Sequence, residues 1–153
     1  MQNNRVDNGM SNQPAISLSL NARATARVAF NRIDRRWPQG SSGTGLQVTL
    51  SPGDPHVVNV YGNRVEGGFR DGALRLDVGV TPVFGSGGSS TPVVRAFSNA
   101  LVCRKFGATF YPVGLYAASF AASGQNELRL FNNTAVGCDT PIWIDYPING
   151  PSL

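Results

Sequence analysis

The chain has 153 residues, of which 41% are hydrophobic and 14% are charged, and it contains 18 glycines and 10 prolines. This composition excludes a coiled coil and a charged disordered tail, and the length suits one compact domain that needs no metal or disulfide to retain a core. The first 36 residues carry the whole net charge of +4, because six arginines stand there against two aspartates while the remainder balances seven bases against seven acids.

The segment from Met1 to Pro14 is polar, with Val6 and Met10 as its only sizeable apolar side chains after the first residue. It lacks the apolar core of a secretory signal, and no stretch of the chain approaches the roughly 18 apolar residues of a membrane span. We therefore predict an extended N-terminal arm, held by a neighbouring chain, with Arg5 among its contacts. Its charge favours an acidic protein surface; nucleic acid is a second partner, contacted at phosphates without sequence readout.

The strongest hydrophobic pattern has a period of two and runs from Ile16 to Phe30. Eight of its apolar residues fall on even positions, namely Ile16, Leu18, Leu20, Ala22, Ala24, Ala26, Val28 and Phe30. This alternation predicts half-buried strand, with Arg23 and Arg27 facing solvent. At ~3.3 Å per residue the segment is too long for one strand of such a domain. Two alternatives remain: two strands broken near Asn21, or a leading strand over 15–20 that adds to a neighbouring chain.

Further segments are predicted as strands from their β-branched and aromatic residues. They are Leu46–Leu50, Val57–Tyr61, Ala73–Val80, Pro92–Cys103, Thr109–Tyr116, Glu127–Phe131 and Ile142–Tyr146. The Asp71-Gly72 pair predicts a tight hairpin turn, and the Ala-rich segment Val113–Ala122 is the candidate for one short helix.

We find no internal repeat, which disfavours solenoids and propellers. Short strands separated by turn residues instead favour a β-sandwich. The predicted fold is therefore all-β: a single, jelly-roll-like β-sandwich over residues 15–153, with an extended N-terminal arm over residues 1–14.

Few residues carry recognisable chemistry. His56 is the only histidine, which excludes a multi-histidine metal site, and no Gly-x-Ser-x-Gly motif accompanies it. We expect it to be a surface or strand-edge side chain. Lys105, the only lysine, lacks the glycine loop of a phosphate site. The spacing of Asp71, Asp139 and Asp145 does not indicate a glycosidase or a calcium site. We predict no catalytic residues, no metal and no cofactor.

Cys103 and Cys138 lie 35 residues apart, one at the end of a predicted strand and the other just before the last strand. Two alternatives are open. A disulfide would pin the final strand and stabilise the fold by roughly 3 kcal/mol through loop closure. A cytosolic protein would instead keep two buried thiols.

Two functions from different classes fit these observations, and an enzyme ranks below both. The first is a non-enzymatic structural protein of a multi-subunit assembly, namely a virion component such as a bacteriophage capsid, cement or decoration protein. Its partners would be copies of itself and other subunits of the particle, with no membrane involved. The second is an exported adhesin or fimbrial subunit at the cell surface that uses donated-strand contacts. The candidate contact residues are Arg5, Ile16, Leu18, Leu20, Arg23 and Arg27.

Overall fold

The structure is a computed structural model that describes residues 1–7, 13–20, 23–35, 43–50, 56–78, 92–105, 111–119 and 127–145. In these ranges the chain forms fourteen short β-strands and no helix. Accordingly, no helix in the described ranges is long and apolar enough to cross a membrane.

Every third strand joins the same sheet, and all pairings are parallel. Sheet A contains β3 (Thr25–Ala29), β6 (Val57–Tyr61), β9 (Val93–Phe97) and β12 (Glu127–Phe131). Sheet B contains β1 (Arg5–Asp7), β4 (Arg32–Asp34), β7 (Arg64–Gly67), β10 (Ala100–Cys103) and β13 (Thr134–Val136). Sheet C contains β2 (Ile16–Leu20), β5 (Leu46–Leu50), β8 (Leu74–Val78), β11 (Val113–Ser119) and β14 (Thr140–Asp145). The arrangement resembles a parallel β-helix, and we call one circuit through sheets A, B and C a coil.

The predicted jelly-roll-like sandwich is therefore wrong. Sandwich strands pair antiparallel with their neighbours, whereas Ile16 here pairs with Leu46 and Leu46 pairs with Leu74, each in parallel. Period-two alternation reports only that one face of a strand is buried, and this holds in both folds. The alternation could not distinguish them.

The prediction that no repeat exists is also wrong. Each corner between sheets A and B contains an apolar residue, two variable residues and an asparagine. The four segments are Val28–Asn31, Val60–Asn63, Ala96–Asn99 and Leu130–Asn133. Successive asparagines are 32, 36 and 34 residues apart. These unequal spacings hide the repeat from a search at fixed period.

The inward side chains of the three sheets form one hydrophobic core. They stack in register along each sheet, as Leu46, Leu74 and Leu115 do in sheet C. The predicted alternation from residue 16 to 30 is divided between two sheets, with β2 and β3 separated near Asn21, which itself lies outside the described residues. Ile16 and Val28 are buried and Arg23 and Arg27 are exposed, as predicted.

Phe30 is an exception, because it is 56% exposed. Its backbone has φ of 56° at the corner after β3, and its ring lies outside the core. Residues 113–119 also differ from the prediction, since they form β11 rather than a helix. Gly72 has the positive φ of a turn, but the turn leads from one parallel sheet to another and no hairpin forms.

Residues 1–7 do not extend away from their own subunit. Strand β1 pairs with β4 in sheet B, and Gln2 bridges Ala29 at the edge of sheet A. The Met1 carbonyl accepts from the Ala29 N–H at 3.0 Å, and the Arg32 N–H donates to the Asn4 carbonyl at 2.8 Å. The extended arm is thus wrong for this part: main-chain pairing needs no apolar side chains, so a polar segment can complete the β-helix. Residues 8–12 of the predicted arm lie outside the described residues.

Candidate functional site

A ladder of asparagine side chains runs along the corner between sheets A and B. Its members are Asn4, Asn31, Asn63, Asn99 and Asn133. Each of the last four accepts two hydrogen bonds at Oδ1 from the asparagine one coil earlier, at 2.9 Å from its Nδ2 and at 3.0–3.2 Å from its backbone N–H. The ladder therefore satisfies buried backbone donors at a corner where the sheets cannot.

This ladder has a direction. Between asparagines, the backbone N–H and Nδ2 of one member donate to Oδ1 of the member one coil nearer the C-terminal end. The Nδ2 groups of Asn63, Asn99 and Asn133 also donate to a backbone carbonyl one coil earlier. Within the described residues, nothing accepts from the Asn133 backbone N–H, and nothing donates to Asn4 Oδ1. Among the described residues, the C-terminal end thus presents an unused donor and the N-terminal end presents an unused acceptor.

The same corner carries a row of aromatic rings outside the core. The rings of Tyr61, Phe97 and Phe131 stack with centroids 4.9 Å apart, and the Phe30 ring meets Tyr61 edge-on at 5.3 Å. Gly62 has φ of +63°, and a Cβ on it would lie 2.7 Å from the Phe30 ring. This corner therefore requires glycine at 62 for both space and conformation.

The last coil exposes a cluster of large apolar side chains, which we call the C-terminal rim. Its members are Phe131, Val136, Ile142, Trp143 and Ile144, each 45–56% exposed. They account for five of the eight exposed large hydrophobic side chains found in the described residues. Strands β12, β13 and β14 are also the edge strands of their sheets in this part of the chain, so backbone groups are unpaired beside the apolar ones.

Side chains on the outer face of sheet C hold β14 in place. The Tyr116 hydroxyl donates to Asp145 at 3.0 Å, and its ring meets Trp143 edge-on at 5.9 Å. Burial raises the pKa of Tyr116, and the hydrogen bond to Asp145 raises it further. Arg75 lies over the Tyr116 ring at 4.8 Å and pairs with the buried carboxylate of Asp77 at 2.9 Å. Burial lowers the pKa of Arg75, but its hydrogen bond and charge interaction with Asp77 outweigh burial and raise it.

Two further contacts fix the approach to β14. Cys103 and Cys138 are joined by a disulfide with their Cα atoms 4.9 Å apart, which links the end of β10 to the turn before β14. Lys105 Nζ donates to Asp139 at 3.2 Å across the same turn. The disulfide and the Lys105–Asp139 ion pair therefore attach the turn before β14 to the coil below it.

The N-terminal end is basic and concave. A depression of about 430 Å³ opens between β1 and β2. Its lining includes Val6 and Ile16, which face the interior. Arg5, Arg23 and Arg27 are exposed around this end, and Leu18 and Leu20 are half-buried on the edge strand of sheet C. The predicted contact residues therefore lie on one end of the β-helix and not on a free arm.

The residues considered for catalysis are dispersed. His56 is fully buried, so the expectation of a surface or strand-edge side chain is wrong, and neither ring nitrogen has a hydrogen-bond partner among the described residues. Asp139 and Asp145 lie at the C-terminal end, where they bind Lys105 and Tyr116. In the described ranges no three His, Cys, Asp or Glu side chains are grouped to hold a metal ion.

The sequence analysis missed the asparagine ladder and the C-terminal rim. The ladder had a visible signal, namely an asparagine that follows an aromatic residue by one or two positions in each of four segments. The exposure of the rim had no such signal, because its residues alternate like those of the buried strands. No known protein family, curated protein or solved structure matches this chain.

Proposed function

We propose that this chain is a non-enzymatic structural subunit of a multi-chain assembly, and that it joins its neighbours through the ends of the β-helix. The observation that carries the proposal is the C-terminal rim. Exposed apolar side chains beside unpaired strand edges are a surface that another chain can cover by strand addition. A stacked-coil protein needs such ends covered for solubility.

A virion is the assembly we favour. A particle of many subunits requires rigid building blocks with preformed joints. The described β-helix provides rigidity through its continuous core and its asparagine ladder, in which Asn31, Asn63 and Asn99 are fully enclosed. The joint is preformed because a disulfide and the Tyr116–Asp145 bond fix β14. The basic N-terminal end supports an acidic protein surface as its partner.

The disulfide favours a second candidate, an exported adhesin or fimbrial subunit at the cell surface. Disulfides persist in oxidising compartments, and Cys103 and Cys138 are bonded in this structure. Such a subunit would use the same exposed edges for donated-strand contacts.

Velocity sedimentation of extracts from cells that make the protein tests the assembly role. We expect the wild-type chain to sediment far ahead of a 16.2 kDa monomer. The double variant Ile142→Glu/Ile144→Glu should sediment as a monomer, because it places two charges on the C-terminal rim. The control Val57→Glu/Asn59→Glu adds the same charges at the same spacing on the outer face of β6 and should sediment like wild type. Monomeric wild-type protein in these extracts would refute the role.

A further inference from the structure

We propose that the partner at the C-terminal rim is a second copy of this chain, docked head to tail so that its first coil continues sheets B and C and meets sheet A at Gln2. This inference rests on the proposed assembly function and names the occupant of that surface. The contacts are set by four properties of the two ends: strand order, hydrogen-bond direction, apolar register and charge.

Strand order matches between the two ends. At the N-terminal end the outermost described segments are Gln2 in sheet A, β1 in sheet B and β2 in sheet C. At the C-terminal end they are β12, β13 and β14 in the same three sheets. A copy placed one strand spacing of ~4.8 Å beyond the last coil therefore adds one parallel strand to sheet B and one to sheet C, and it adds a single bridge at Gln2 to sheet A.

The ladder makes the two ends complementary in hydrogen bonding. Asn133 of one copy has a free backbone donor, and Asn4 of the next copy has a free Oδ1 acceptor, within the described part of the chain. Asn4 of the second copy would thus occupy the position that follows Asn133, just as Asn133 follows Asn99. Two C-terminal ends facing each other would bring donor to donor, so the ladder favours only the head-to-tail arrangement.

Apolar side chains also match in this register. Ile142 continues the row that begins with Ile16, so the next copy places its own Ile16 over Ile142. Two residues further along, Leu18 of the second copy lies over Ile144. Both partners are accessible, because Ile142 and Ile144 are 51% and 45% exposed and Leu18 is half-buried. The contact would therefore remove apolar surface from water on both sides.

Charge favours the same orientation. Residues 1–36 carry six bases and two acids, a net +4, whereas residues 106–153 carry three acids, of which Glu127 pairs with Arg129 and Asp139 pairs with Lys105. The three acids, Glu127, Asp139 and Asp145, lie in the last coil. Ends of opposite charge attract each other and ends of like charge repel each other. This interaction orients the two copies as they meet, and it weakens as salt is added.

Association of the purified full-length chain tests this proposal. We use sedimentation velocity on wild type, on Ile142→Glu/Ile144→Glu at the C-terminal end, and on Leu18→Glu at the N-terminal end, each checked for folding by circular dichroism. Wild type should grow with concentration into open chains of several copies, because a head-to-tail contact need not close. Each variant alone should stay at 16.2 kDa. An equimolar mixture should form a dimer of twice that mass, since one intact end remains on each partner.

Several outcomes would overturn the second copy as partner. In the first, wild type stays monomeric up to about 1 mM. In the second, Leu18→Glu alone associates as wild type does. In the third, the equimolar mixture forms no dimer. If Leu18→Glu does not fold, the charge reversal Arg5→Glu/Arg27→Glu replaces it and should weaken association at least tenfold at low salt. A purified monomer that still sediments as a large species in cell extracts would exclude the second copy while leaving the assembly role intact.

Discussion

Equivalent positions in the middle and at the C-terminal end of the β-helix have opposite environments. Leu76 in β8 and Ile144 in β14 stand in the same register of sheet C, two strands apart, yet Leu76 is fully buried and Ile144 is 45% exposed. Their local sequences are alike, since both are apolar residues in an alternating strand. Burial in this fold therefore depends on the coils that lie on either side, and among the described strands of sheet C β14 has a neighbour on one side only.

The largest expected contrast comes from truncating these two side chains. Leu76→Ala should lower the free energy of unfolding by about 2–5 kcal/mol, because it leaves a cavity in a closed core. Ile144→Ala should lower it by less than about 1 kcal/mol in the isolated chain, because half of that side chain already meets water. Urea unfolding measures both. Equal losses would show that β14 is as enclosed as β8.

The ladder should show the same contrast on a smaller scale. Asn63→Ala removes four hydrogen bonds and leaves the Asn31 backbone N–H buried without an acceptor, which should cost roughly 3–4 kcal/mol. Asn133→Ala should cost roughly 1–2 kcal/mol, because the end of the ladder is half-buried and water can replace the lost bonds. Chemical denaturation of both variants decides, and a more costly Asn133→Ala would contradict the directional view of the ladder.

Removing the disulfide should affect one region only. Cys103→Ser/Cys138→Ser frees a 35-residue loop, which should lower the free energy of local opening of the last coil by roughly 3 kcal/mol through loop closure. Backbone amides in β13 and β14 should exchange with deuterium faster, while those of β5 and β8 keep the wild-type rate. Uniformly faster exchange would mean that the β-helix unfolds as a single unit and that its end has no separate stability.

The smallest effect concerns acid stability in the middle coils. Hydrogen bonds from Arg104 and then Arg64 lower the pKa of Glu66 below its ordinary value of 4.5. A lowered folded-state pKa stabilises the protein above the unfolded value, and this contribution disappears as pH falls through the folded pKa. Glu66→Gln should therefore be less stable than wild type at pH 7, by roughly 0.5–1 kcal/mol as for partly exposed ion pairs, and equal to it near pH 2. A difference that persists in acid would assign the effect to packing.

Strands of sheets A and C were largely predictable from the sequence. Leu46–Leu50, Val57–Tyr61 and Glu127–Phe131 were predicted with the bounds that the structure has. Sheet B was missed at β1, β4, β7 and β13, because strands of three or four residues are too short to show alternation. The tenth strand was predicted only as the end of Pro92–Cys103, since the corner at Ser98 interrupts no hydrophobic run.

The order of the sheets was not accessible by the same reasoning. The alternation of apolar and polar residues shows which face of a strand is buried, but it does not show which other strand pairs with it. The recurring asparagine was the only sequence feature that indicated parallel stacking. The C-terminal rim was harder to predict from the sequence than the order of the sheets. Ile142 and Ile144 have the sequence of a core strand, and their exposure arises from position in the stack, which alternation does not encode.

The contact between Phe30 and Gly62 links two positions that are 32 residues apart in sequence. The ring occupies the space where a Cβ at 62 would lie, so a larger residue there needs a smaller residue at 30 and must also tolerate the left-handed backbone of that position, as asparagine does. Evolution would then change the two positions together and leave a covariation signal between adjacent coils. Among relatives of this chain, pairs of this kind would report the stacking order of the coils directly from aligned sequences.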